Sequence, residues 1–126
     1  MGAHHNAYGL AADFSERSAT AQARADSVTR HHAMLLKVRI QAHASGRPGP
    51  NVITGDYRRS WTVTHMGSAS TVGTNKPQAR RLEWGFYGPD RLGRVYNQRP
   101  YPHVGPAVDE TAPGYQAALL DIVDDI

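Results

Sequence analysis

The stretch from Ser45 to Thr74, SGRPGPNVITGDYRRSWTVTHMGSASTVGT, constrains the fold more than any other part of the 126-residue chain. It opens with a helix stop and a stiff turn. Gly46 and Gly49 can take left-handed conformations, while Pro48 and Pro50 fix φ and cannot continue a helix. Next, Thr54-Gly55-Asp56-Tyr57-Arg58-Arg59-Ser60 reads either as a short helical turn begun by Thr54 or as an irregular lead-in. Trp61, Val63 and Val72 are β-formers, and Met66-Gly67-Ser68 supplies turn chemistry. Trp61–Thr64 and Ala69–Val72 should therefore pair as a hairpin.

Everything upstream of this turn reads as one helix. Residues 1–12 are expected to be an arm, with Tyr8 and Leu10 as anchors and His4-His5 too sparse for a metal site. Asp13 and Glu16 resemble a capping box, and an alanine-rich run follows. Phe14, Ala21, Val28, Leu35 and Ala42 recur every seven residues, with Ala25, Leu36 and Ile40 beside them, which predicts one apolar stripe. Ala44-Ser45-Gly46 followed by Pro48 ends the helix. At 1.5 Å per residue such a helix spans roughly 45 Å, long enough for one half to pack on its own sheet and the other on a neighbouring subunit. His31, His32 and His43 on it read as surface or interface histidines.

Downstream, Gly73–Pro77 is a loop, and Gln78–Trp84 is a short helix closed by Gly85. Glu83, a lone acid between Leu82 and Trp84, fits a carboxylate hydrogen-bonded to backbone or arginine. Phe86–Asn97 (FYGPDRLGRVYN) is turn-rich and is expected to be an exposed loop, ending in a strand at Arg94–Tyr96. Arg99–Pro106 is extended by proline restriction, and Pro106 is a natural first residue for a helix. Pro113-Gly114 should break or kink that helix before a final one, with Tyr115, Leu119, Ile122 and Ile126 on one stripe.

Charge is distributed unevenly. All fourteen Lys and Arg lie at or before Arg99 against six acids, a balance of +8. The five acids beyond it meet no base, a balance of −5. Such polarity suits either nucleic-acid contact or a subunit whose ends meet oppositely charged neighbours. Asp124 and Asp125 would sit at a helix C-terminus, where the dipole disfavours anions, so a basic partner is expected there. No run approaches the ~18 apolar residues that span a bilayer. Cysteine is absent, which excludes a disulfide framework and thiolate chemistry. The first ten residues lack the basic start and apolar run of a signal peptide, so the expectation is a cytosolic product or one assembled inside a cell.

Gly46-x-x-Gly49 lacks the Gly-Lys-Ser/Thr ending of a phosphate loop, and there is no HExxH or Gly-x-Ser-x-Gly. Glu83, Asp56 and Asp90 show no spacing that would pair two carboxylates in a cleft. The expectation is a non-enzyme with no catalytic, cofactor-binding or metal-binding residues.

The order of the short motifs carries a resemblance. Pro48-Gly49-Pro50 is followed by Thr54-Gly55-Asp56-Tyr57-Arg58-Arg59-Ser60, Val72-Gly73-Thr74 and Leu82-Glu83-Trp84-Gly85. Arg99-Pro100-Tyr101-Pro102 and Gly105-Pro106-Ala107-Val108 come last. Over residues 13–126 this resembles the neck and tail-completion proteins of long-tailed bacteriophages, the head–tail joining or minor tail component family. Ala79-Arg80-Arg81 departs from the Tyr-Ala pair that family often places before its Glu-aromatic-Gly element. The resemblance implies an α+β subunit in which a long N-terminal helix and a C-terminal helix pack on a small antiparallel sheet. It implies a ring of identical subunits, commonly a hexamer, between a connector or stopper ring and the tail-tube protein. Phage DNA would pass through the lumen without sequence-specific binding, no membrane would be involved, and the protein would reside in the virion after assembly in the bacterial cytoplasm. Tail terminator, neck or stopper, and tail-completion roles all fit.

The same resemblance marks Pro48, Thr54, Gly55, Tyr57, Arg58, Arg59, Ser60, Gly73, Thr74, Glu83, Trp84, Gly85, Arg99 and Pro100 as family-motif and interface residues. Asp121, Asp124 and Asp125 join them as the acidic surface that would face a basic layer. The rival expectation is a small basic nucleic-acid-binding protein using Arg47, Arg58, Arg59, Arg80 and Arg81.

Overall fold

Helix α1 runs from Ala7 to His43, about 55 Å at the standard rise. The computed structural model describes residues 7–89 and 91–125, so His4-His5 and Ile126 lie outside the described residues. α1 begins before Asp13, because Leu10, Ala11 and Ala12 are strong helix formers and nothing among them stops the helix. Asp13 and Glu16 therefore sit inside the helix instead of capping it, and residues 7–12 of the expected arm are helical.

None of the five residues of the predicted seven-residue stripe is buried, and of the three beside it only Ile40 is. Ala33, Ile40 and Ala44 are buried and Leu36 packs against the core, a spacing of three and four that keeps one face of a straight helix. Phe14 and Ala42 are exposed. A strict seven-residue repeat drifts around such a helix by ~20° per repeat, and the core lies along the C-terminal half of α1 alone.

The turn after α1 forms as the glycines and prolines require. The Ala44 amide bonds to the Ile40 carbonyl at 2.9 Å, Gly46 adopts φ +132°, and its amide reaches the Pro50 carbonyl at 3.0 Å. Gly49 is needed for a different reason from Gly46. Its φ is not left-handed, but a Cβ there would lie 1.9 Å from the His43 carbonyl oxygen.

A single helical turn, α2 (Asp56–Arg59), follows a left-handed Gly55. The hairpin of β1 (Thr62–Met66) and β2 (Ala69–Gly73) then pairs from Thr62↔Gly73 to Met66↔Ala69. Gly67 opens its two-residue turn at φ +59°. α3 (Ala79–Trp84) is closed by Gly85 at φ +80°.

The strand expected at the end of residues 86–97 is present, but the first part of that segment is also a strand where a loop was expected. β3 (Phe86–Pro89) and β4 (Val95–Gln98) form a second antiparallel hairpin, with Phe86 opposite Gln98 and Pro89 opposite Val95. Phe86 and Tyr87 on one strand and Val95 and Tyr96 on the other outweigh the turn residues within and between them. The fold thus has two small sheets where one was expected.

α4 (Val104–Asp124) starts two residues before Pro106 and runs unbroken through Pro113. Pro106 is tolerated because the first amides of a helix have no intrahelical acceptor. α4 lies antiparallel on α1, whose side chains grip it on both sides of Pro113. Arg39 bonds the Glu110 carbonyl at 3.2 Å and Thr111 Oγ1 at 3.0 Å, and Thr29 pairs with the Tyr115 hydroxyl at 2.7 Å. Together α1 and α4 pack against the small sheets as an α+β fold, with Ile40, Trp61 and Ala107 at the core and Leu36, Tyr57, Val72 and Val104 around them.

Candidate functional site

Most of the motif residues converge where α3, α2 and the start of α4 meet. At the centre is Glu83, a buried carboxylate near the end of α3. Its Oε1 accepts the amides of His103 and Val104 at 2.9 and 2.8 Å, and its Oε2 accepts that of Gly105 at 3.0 Å. These amides belong to the cap and first two residues of α4, which a helix leaves unpaired. Glu83 thus caps a helix twenty residues away in sequence, with its charge at the favourable end of the dipole. A Cβ on Gly105 would sit 3.3 Å from Oε2, so glycine gives the carboxylate room. Burial by itself would raise the Glu83 pKa. The three backbone donors, with a smaller contribution from the His103 ring, outweigh it and hold the carboxyl below its ordinary value.

His103 is completely buried. The Tyr101 carbonyl, 2.9 Å from Nδ1, can only accept, so in the neutral ring Nδ1 carries the proton. Nε2 is then the acceptor, and the Tyr57 hydroxyl donates to it. Burial, then the Glu83 charge, push the Tyr57 pKa up to about 12. Trp61 completes the cluster, edge-on to Tyr57 and His103 with ring centroids 6.1 and 6.0 Å away. Its indole N–H is buried with no acceptor among the described residues.

Other motif positions lock this cluster to its surroundings. The Ser60 hydroxyl donates to the Tyr57 carbonyl, and Thr74 donates to Ser60, while the Lys76 amide bonds Thr74 Oγ1 at 3.2 Å. Arg58 reaches Ser45 Oγ at 3.1 Å, and Gln41 bonds the Arg58 carbonyl at the same distance. Thr54 Oγ1 accepts the Asp56 amide, and Arg59 pairs with Asp56 at 2.8 Å. Gly55 and Gly85 both have positive φ, and a Cβ on Gly85 would lie 2.8 Å from the Gln98 carbonyl and 3.1 Å from Pro100 Cδ. Beside Pro48, the Arg47 guanidinium lies 3.8 Å from the centroid of the Tyr101 ring. Gly73 closes β2.

The remaining sequence-marked residues do not join the cluster. Trp84 and Arg99 are exposed, as are Asp121, Asp124 and Asp125 at the far end of α4. Asp125 pairs with Arg24 of α1 at 2.9 Å, so the basic partner expected at that helix end is supplied in part by the same chain. Glu110 likewise pairs with His43 at 2.6 Å.

Two features were missed by sequence reasoning. His103 was passed over inside a proline-restricted run, although its place one residue before a helix was the available signal. The outer face of the second hairpin was hidden by reading 86–97 as a loop with a strand only at its end. Tyr87 and Asn97 are paired across the strands, as are Pro89 and Val95, so these four share one face. Tyr87 and Val95 are 76 and 69% exposed, and Trp84 just before the hairpin is 78% exposed. Phe86 turns the other way, covering Gly88 and carrying the Arg81 guanidinium 3.7 Å above its ring. A shallow cleft of about 670 Å³, lined by Arg47, Ile53, Tyr57, Leu82 and Tyr101 among others, lies beside the cluster.

No family model, no curated protein and no solved structure matches the chain.

The Glu83 carboxylate at the centre of the cluster is engaged with the backbone of α4. All three of its amide donors and both carboxylate oxygens are used in capping α4, and the Tyr57 proton is held well above neutral pH. Among the described residues no three His, Asp or Glu side chains converge as a metal site, and no helix is long and apolar enough to cross a membrane.

Proposed function

We propose that the chain is a structural subunit of the head–tail connector of a long-tailed bacteriophage, a ring of copies that joins the tail tube to the capsid connector and surrounds the DNA path. The observation that carries this reading is the division of labour among the motif residues. Tyr57, Ser60, Thr74, Glu83 and Gly85 build a rigid frame. What that frame holds out to solvent is apolar: Trp84, Tyr87 and Val95 on and beside a two-stranded ribbon. Isolated two-stranded sheets are marginal in water, and clustered exposed aromatics mark interaction surfaces.

The rival reading, a small basic nucleic-acid-binding protein, is less well supported. Of its five arginines, Arg47 and Arg81 stack on aromatic rings, Arg58 bonds Ser45 and Arg59 pairs with Asp56. Electron microscopy of tail tubes incubated with the protein separates the two. Rings capping the tube ends support the connector; bare tubes, together with salt-dependent binding to duplex DNA, support the rival.

A further inference from the structure

Resting on the connector reading, we propose that the outer face of the β3–β4 ribbon docks on the exposed acidic face of α4 in a second copy of this chain. The ribbon face is Tyr87, Pro89, Val95 and Asn97, with Trp84 at its base. It is set in a basic segment: residues 76–99 carry six Lys and Arg against two acids, one of which, Glu83, is buried and fully used. The complementary face lies on α4. Leu120 and Val123 are 62 and 61% exposed there, and Asp109, Asp121 and Asp124 lie on the same side of the helix or beside it. Unlike Asp125 and Glu110, these three acids form no ion pair with described residues. α4 carries no Lys or Arg at all. Each surface is thus apolar at its centre and charged at its rim, with opposite signs, the arrangement that gives a contact its register and orientation.

The geometry selects a second copy. The ribbon springs from α3, which is tied by Glu83 to the first residues of α4. Asp121 and Asp124 lie at the other end of that 21-residue helix, about 30 Å away, beyond the reach of the same chain's ribbon. The contact joins two different patches of one chain, so it is head-to-tail, the type of contact from which rings are built when the rotation between copies closes.

Two charge-reversed proteins test this. One carries Arg91→Glu and Arg99→Glu, the other Asp121→Lys and Asp124→Lys; all four positions are exposed. Sedimentation velocity is run on the wild type, on each variant and on their equimolar mixture, with tail-tube protein added if the wild type needs it to assemble. The wild type should assemble and each variant should sediment near its 13.8 kDa protomer mass. The mixture should regain the wild-type coefficient, because each variant's altered face meets the complementary face of the other. Rescue by mixing also shows that both variants fold. If either variant assembles like the wild type, or the mixture stays monomeric, the contact lies elsewhere and the ring itself stands. If the wild type stays monomeric with and without tubes, the connector reading fails and this contact with it.

Discussion

Replacing Glu83 with glutamine should cost about as much stability as a single polar substitution can. The change keeps size and shape but removes the charge and turns one oxygen into a donor. Whichever way the amide is turned, its NH₂ faces a backbone N–H, either that of Gly105 or those of His103 and Val104. A buried amide left without an acceptor costs about 1–3 kcal/mol. Loss of the anion from the helix N-terminus adds about 0.5–2 kcal/mol in a buried setting. The sum is roughly 3 kcal/mol, a large share of the ~5–15 kcal/mol that holds a domain together. With a urea slope of roughly 1.5 kcal/mol/M, the midpoint should fall by about 2 M.

Urea titrations at pH 7, followed by Trp61 and Trp84 fluorescence and by far-UV circular dichroism, measure the shift. The pH dependence supplies a second check whose sign is fixed. Glu83 has a folded pKa below its ordinary 4.5, so its stabilisation is present above that value and is lost as pH falls through the lower folded pKa. The gap between wild type and Glu83→Gln should therefore be full at pH 7 and close progressively below pH 4.5. A loss smaller than about 1 kcal/mol at pH 7 would refute the capping role, as would a gap indifferent to acid.

Four further outcomes follow from the same frame. Tyr57→Phe removes the hydroxyl that bonds His103 and should cost about 1–2 kcal/mol in the same titration. Because the Tyr57 pKa is raised from 10.0 to about 12, its contribution is complete below pH 10 and is lost as pH rises through 12; the phenylalanine variant should lack that alkaline decline. Gly49→Ala places a methyl 1.9 Å from the His43 carbonyl and should destabilise by more than about 2 kcal/mol or prevent folding, read from the thermal midpoint. Arg24→Ala breaks a solvent-exposed pair and should shift stability by less than about 1 kcal/mol, an effect that 0.5 M salt erases.

Much of the architecture was legible because the chain is heavily punctuated. Gly46 with Pro48, Gly67-Ser68 and Gly85 each act within a few residues, and the boundaries they imply for α1, β1–β2 and α3 are close to those observed. What local chemistry could not convey was context. Pro113 reads as a break or a kink, and of the two the break does not occur, because α1 supplies Arg39 and Thr29 on either side of it and the helix continues. Pro106 reads as a helix start, yet Glu83 reaches the preceding amides from another element and moves the start to Val104. Phe86–Asn97 reads as a loop with a strand only at its end because its glycines and proline dominate, while Phe86–Pro89 becomes a strand only once the hairpin closes. Glu83 itself was marked as a backbone-bonded acid, but nothing local tells which backbone. Its partners are twenty to twenty-two residues away, and His103 at the heart of the network carries no sequence signature beyond its place before a helix.

The mass of the purified protein by light scattering, alone and with tail-tube protein, tests the connector role most directly. A closed ring, or a 13.8 kDa monomer that becomes a ring on tube ends, is the expected result. A monomer that ignores tubes at every concentration and shifts duplex DNA at moderate salt would contradict it.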